Sequence, residues 1–165
     1  MRSIRKQLTA VLIGAAAVTG LVLPATTAVA APATTASVAA SAAKGVKVEA
    51  INTTLKLTTQ LNRIITNAVD RHENREGYVK SIVLGAFYEA GQRYNVLVIK
   101  YRHKYTANLQ NVVYDAKVSA DGYPAFRVVV FSSGQVVNNS DGGWENWGFK
   151  GWFDRNGNTV TFRQS

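Results

Sequence analysis

Cysteine is absent from the 165 residues, and histidine occurs only twice, at His72 and His103. The first absence excludes thiol catalysis, cysteine-ligated metal and disulfide staples, so a folded domain must be held by its core alone. The roughly 120 residues after Lys44 suffice for that, since domains of this size bury well over half the surface of the unfolded chain. The histidines fall short of a transition-metal site, which needs three or four ligands, and neither sits on a helix four residues from a second ligand. Asp154-Arg155-Asn156-Gly157-Asn158 starts like a calcium loop but lacks the later bidentate acid, so it reads as a hairpin turn. No Gly-X-Ser-X-Gly, phosphate-binding loop, dinucleotide fingerprint or internal repeat is present. The sequence therefore implies no cofactor and no metal, and it leans away from an enzyme.

Acidic residues are also scarce, ten against nineteen Lys and Arg, and three of the basic ones crowd the first six positions. Arg2, Arg5 and Lys6 precede an apolar, Ala-rich run from Leu8 to Val22, then Pro24, then Ala28-Val29-Ala30. This is the pattern of a secretory signal peptide over residues 1–30, cut between Ala30 and Ala31. Without an Arg-Arg pair, the general secretory route is expected, with no membrane anchor after cleavage and a secreted product. Loss of those three cations leaves sixteen basic residues against ten acidic, a net charge of +6. The remaining charge is scattered rather than in runs. It suits adhesion to a cell-wall glycan or another anionic polymer and lacks the basic stripe of a nucleic-acid binder.

Residues 31–44, rich in Ala, Thr and Ser, bury too little to offset their ordering entropy and read as a flexible spacer. A single globular domain is expected over residues 45–165. From Glu49 to Asp70 apolar residues recur at three- and four-residue steps, predicting one amphipathic helix. Tyr78, Val79, Ile82, Val83, Ala86, Phe87 and Ala90 predict a second over Arg75–Gln92, capped by Asn74 and ended near Gly91. Beyond Gly91 the period falls to two. Val96–Ile99 reads as a strand buried on both faces and Val112–Val118 as a half-exposed strand. Phe126–Phe131 follows after an Asp121-Gly122 turn, then a turn at Ser132-Ser133-Gly134 and a hairpin of Phe149–Asp154 with Thr159–Arg163. The expected fold class is α+β: two N-terminal amphipathic helices packed on an antiparallel sheet of about five strands that ends in a C-terminal hairpin.

All three tryptophans and four of the thirteen glycines fall in residues 141–155. Five aromatic rings within ten positions must build a core or a binding face. Period-2 alternation from Trp147 puts Trp147, Phe149 and Phe153 on a core face and Trp152 opposite, so Trp144 and Trp152 are expected to be the more exposed rings. With Asp141 and Glu145 beside them, the candidate ligand-binding residues are Asp141, Trp144, Glu145 and Trp152. Asp141 and Glu145 also form the carboxylate pair that glycosidase chemistry would require, against an ordinary role as turn and capping residues. His103 lies in a basic and aromatic cluster with Lys100, Tyr101, Arg102, Lys104 and Tyr105, which could hold phosphates or could simply be solvated charge. A two-histidine ribonuclease mechanism needs His72 and His103 together, and nothing in the sequence joins them.

Ala90 to Val98 and Asp141-Gly142-Gly143-Trp144-Glu145-Asn146-Trp147-Gly148-Phe149-Lys150-Gly151-Trp152-Phe153-Asp154-Arg155 resemble the small secreted stress proteins of Streptomyces and related actinobacteria. Gly148 stands where that motif would carry alanine. The resemblance spans about Arg75 to Arg163. It implies an exported, stress-associated protein and transfers no catalytic residue. Together the readings favour a secreted, non-enzymatic binding or protective module acting at the cell surface or in the medium; the alternative is a secreted hydrolase or toxin acting on glycan or RNA.

Overall fold

The computed structural model describes residues 45–165. The expected leader over 1–30 and spacer over 31–44 lie outside these residues. Nine elements follow in order: β1 (Lys47–Asn52), α1 (Thr58–Asp70), α2 (Arg75–Glu89), β2 (Asn95–Lys100), β3 (Tyr105–Ala120), β4 (Tyr123–Asn138), β5 (Trp147–Lys150), β6 (Phe153–Asn156) and β7 (Thr159–Phe162).

This corrects the expected α+β arrangement of two leading helices on about five strands. The described chain is mostly antiparallel sheet, with seven strands, and the helices follow a strand rather than open the fold. The first error lies in residues 46–52. Val46, Val48 and Ala50 are buried at two-residue steps, whereas Ile51, read as a helical core position, is 65% exposed. The strand pairs with β3, an interaction about seventy residues away that local periodicity does not register. The second error is at Ser132-Ser133-Gly134, which lies inside β4 rather than in a turn. Gly134 has φ 141°, and a Cβ there would stand 2.3 Å from the Asn108 carbonyl oxygen of β3. The glycine thus permits close backbone approach and a bend, so one 16-residue strand continues where the composition suggests a break. The third is the C-terminal stretch, which makes three strands because Gly151 and Trp152 interrupt it.

The second helix matches its pattern closely. The Asn74 side chain accepts a hydrogen bond from the Gly77 amide at 2.8 Å, and Tyr78, Val79, Ile82, Val83, Ala86 and Phe87 form the buried face. Gly85 lets α1 come close, since a Cβ there would meet Ile64 Cδ1 at 2.6 Å.

The sheet forks at β4. One edge of β4 pairs with β3 along most of its length; the other pairs with β2 through Phe126–Phe131 and with β7 through Gly134–Val137. Beyond β2 lies β5, and beyond β7 lies β6. Val96 and Val98 of β2 belong to a core shared with both helices, while Leu97 and Ile99 belong to a second core. The second core contains Val129, Phe131, Val136, Trp147, Val160 and Phe162, with Phe149 and Phe153 packed on it. The last three strands are thus what covers the second face of the central strand.

Candidate functional site

The C-terminal stretch is divided between these surroundings. Trp147 is buried, and its indole Nε1 donates to the Gly142 carbonyl at 2.8 Å. Phe149 and Phe153 are half-buried on the same core, in edge-on contact with each other at 4.9 Å. Trp152 faces the other way, as alternation predicts, but it is only partly open to solvent. It is half-buried against the helix-side core, with Phe87 at 5.8 Å. The opposite face of this strand is therefore a second packed surface, and of the candidate rings only Trp144 stands out into solvent, at 43% exposure.

Asn95, which sequence reasoning passed over, locks the stretch in place. Fully buried at the crotch of the fork, it donates through Nδ2 to the carbonyls of Ser132 and Arg163 at 2.7 and 2.8 Å and accepts from the Trp152 amide at 2.8 Å. Gly151, with φ 141°, provides the space; a Cβ there would lie 2.0 Å from Asn95 Oδ1. An asparagine at the start of an apolar strand carries no signal of this role, because its three partners are separated from it by 37 to 68 residues.

Trp144 lies on the loop between β4 and β5 and rests on Gly148: a Cβ at that glycine would meet the indole Cζ3 at 2.8 Å and Val83 Cγ2 at 3.0 Å. The position where the resembling motif carries alanine is here the seat of the ring. The Lys80 ammonium is 5.3 Å from the ring centroid. On the same outer face of α2, at four-residue steps from Lys80, Leu84 and Tyr88 are 42% and 58% exposed. Glu145 pairs with Arg75 at 3.3 Å, both solvent-exposed.

Asp141 is occupied within its own loop. One carboxylate oxygen accepts from the Gly143 amide at 3.2 Å and the other from Asn146 Nδ2 at 2.8 Å. This is the turn-building use of an aspartate. Asp141 and Asn146 also line a recess of about 580 Å³ with Lys100, Arg102, His103, Lys104, Asn139 and Ser140. His72 lines a different recess, with Glu73, Asn74, Arg75, Asp121 and Tyr123. The structure does not bring the two histidines into one site. Among the described residues there is no group of three or more His, Asp or Glu side chains that could hold a metal ion.

Three tyrosines have their ionisation pushed upward, Tyr78, Tyr114 and Tyr123, each chiefly because burial disfavours the phenolate. They belong to the helix side of the fold, away from the loop candidates, and mark packing rather than chemistry.

The chain is 38% identical over 114 residues to the stress response protein YvgO of Bacillus subtilis, a match covering 69% of this chain and 70% of the relative. The chain belongs to the YvgO stress-protein family. No family model matches it, and no solved structure does. The family assignment gives this chain a stress association.

Proposed function

We propose that this stress protein is exported through a signal peptide over residues 1–30 and works outside the cell as a non-enzymatic binding or protective module. Its working face is the Trp144 side of α2, and its partner a cell-wall glycan or a similar polymer. The observation that carries this reading is Trp144 itself. A large ring held open to solvent on a glycine seat, with exposed Leu84 and Tyr88 following Lys80 at four-residue steps along α2, presents apolar area where a soluble surface ordinarily avoids it. Sugar rings offer apolar C–H faces to such a platform, and the Arg75–Glu145 pair and Lys80 border it with hydrogen-bonding groups. Glu145 supports binding in this reading. Its carboxylate is paired with Arg75, and Asp141 is held in its turn, so neither is set up as a glycosidase acid.

The test is co-sedimentation of the mature protein with insoluble peptidoglycan, chitin and cellulose. At least one polymer should retain it, and Trp144→Ala should weaken retention about tenfold, a loss of roughly 1.4 kcal/mol, with the thermal melt unchanged. No retention on any polymer, or equal retention of the variant, removes the Trp144 face from the function. Amino-terminal sequencing of protein recovered from the medium checks the export step, with Ala31 expected as the first residue.

A further inference from the structure

The recess on the other side of the β4–β5 loop has a different chemistry. Lys100 at the end of β2 and Arg102 and Lys104 of the β2–β3 connection line it, and none of the three has an ion-pair partner among the described residues. Eight other basic residues are ion-paired, among them Lys47 and Lys117 with Glu49, Arg63 with Glu89, Arg127 with Asp115 and Arg163 with Asp154; Lys56, Arg93, Lys150 and Arg155 are also without a carboxylate partner among the described residues, but none of them lines this recess. The one carboxylate lining the recess, Asp141, accepts from the Gly143 amide and Asn146. Those donors are neutral, so the carboxylate keeps its charge; three cations against one anion still leave a net positive potential in the concavity.

The recess is also built rather than accidental. Asn138 beneath it is 1% exposed and acts as a hub. Its Oδ1 accepts from the Ser140 amide at 2.9 Å, and its Nδ2 donates to the Asp141 carbonyl at 3.1 Å. Those two backbone contacts fix which end of the amide is oxygen. The His103 ring nitrogen Nε2, 2.8 Å from Oδ1, must therefore carry the hydrogen. The Asn139 amide donates to the Lys104 carbonyl and the Lys100 amide to the Asn146 carbonyl, joining the two loops on either side. The concavity is thus held open by backbone bonds while its cations stay free.

We propose that this recess binds the phosphate ester of a sugar or polyol, as a free ester or as a unit of an anionic polymer. The cations meet the phosphate, Arg102 offering a planar fork of donors and the lysines point charges. Asn139, Ser140, Asn146 and His103 supply donors and acceptors suited to hydroxyl groups. The volume, about 580 Å³, is far more than a bare oxyanion needs and falls in the usual range for small-molecule sites. The lining contains no Phe, Tyr or Trp, and its one ring, the His103 imidazole, is tied to Asn138, whereas single-stranded nucleic acid is ordinarily held by stacking several bases on such rings. The nearby exposed Tyr101, with the Lys117 ammonium at 5.1 Å from its ring centroid, does not line the recess. A phosphorylated sugar or polyol is accordingly favoured over RNA.

Titration of the purified protein with glycerol 3-phosphate and glucose 1-phosphate, followed by amide NMR in about 150 mM salt, tests the site. Shifts should be confined to residues 100–104 and 138–146. Glucose and glycerol should produce none, and the Arg102→Gln/Lys104→Gln double variant should bind about tenfold more weakly. Both substituted residues are exposed, so the fold is not at stake. Trp144→Ala should leave this binding intact, which separates failure here from failure of the glycan face. Absence of localised shifts at millimolar ester would overturn the assignment. So would equal binding of polygalacturonate, which carries carboxylates in place of phosphates, or tighter binding of a uridine oligonucleotide than of the polyol phosphate.

Discussion

The two faces of the central strands are covered in different ways. On one, two helices near in sequence lay a largely aliphatic surface on Val96, Val98, Val128 and Val130, with Tyr78, Tyr114 and Phe126 among the largest buried side chains. On the other, no helix takes part: three short C-terminal strands close over Leu97, Ile99 and Val129 using the rings of Trp147, Phe149, Phe153 and Phe162 against Phe131. Beyond those rings the same side of the sheet carries a polar network, in which Arg127 holds Asp115 through two hydrogen bonds of 2.9 and 2.6 Å and donates to the Tyr105 hydroxyl at 3.0 Å. A helix supplies its own backbone hydrogen bonds before it docks, whereas β5 depends on β2 and the β6–β7 hairpin joins the sheet only through the pairing of β7 with β4. The strand-closed face should therefore hang on a few contacts, and the helix-closed face should tolerate small losses.

The largest expected effect tests that dependence at the crotch of the fork. Gly151→Ala forces a side chain into a positive-φ position and against Asn95 Oδ1, so either the backbone strains or the three Asn95 hydrogen bonds break. Strain of this kind costs roughly 1–3 kcal/mol, and stranding buried polar groups costs about as much again. A stability loss of roughly 3–5 kcal/mol in urea unfolding is expected, with Asn95→Ala losing a similar amount and the double variant far less than the sum. Additive losses would show that the two residues act separately and that the fork is not closed at this point.

An intermediate effect is expected at the polar edge of the same face. Asp115→Asn keeps the shape but removes the charge facing Arg127, whose proton is held tightly by that carboxylate and by Tyr105. Asp115 is nearly buried while Arg127 is 40% exposed, so solvent screens part of the loss. About 1–2 kcal/mol is expected, below the cost of breaking a fully buried pair. A loss as large as that of Gly151→Ala would move the weight of this face from the aromatic strands to the ion pair.

The same contrast explains what the sequence revealed. The second helix was legible to the residue at its start, because an i, i+3, i+4 stripe and an Asn cap are local signals. Two faces for the Trp147–Phe153 stretch were legible as well, since alternation is local. What covers each face was not. Trp152, expected among the more exposed rings, is half-buried, because a helix more than sixty residues earlier brings Phe87 against it. Ile51 and Leu55 fit a helical spacing that hides the second half of the first strand, and only pairing with β3 selects the period-2 reading of Val46, Val48 and Ala50. Of the candidate residues, Trp144 was legible as an exposed ring. The recess at His103 was half legible: the cations are contiguous in sequence, but the Asn138 hub and the loop opposite come from a strand end some 35 residues on.

The smallest effect is expected on the helix-closed face, at Tyr78. Its ring is fully buried and stacks on Tyr123 at 4.0 Å, and its hydroxyl has no hydrogen-bond partner among the described residues. A buried hydroxyl without a partner has lost its water and gained nothing, so Tyr78→Phe should leave stability at neutral pH within about 1 kcal/mol of the parent, or raise it. Alkali should separate the two proteins. Burial, helped by Tyr123, pushes the Tyr78 phenol above its ordinary value of 10.0. The unfolded chain therefore releases this proton at a lower pH than the folded protein does, and fewer protons on the unfolded state make stability fall as pH rises past about 10. Below that pH the contribution is fully present. Removing the phenol should move alkaline unfolding to higher pH but not abolish it, because Tyr114 and Tyr123 are raised in the same direction. Urea melts of both proteins from neutral pH to about pH 11 measure this. If Tyr78→Phe cost several kcal/mol at neutral pH, as Gly151→Ala should, the hydroxyl would have a partner and the helix-closed face would be as exacting as the strand-closed one.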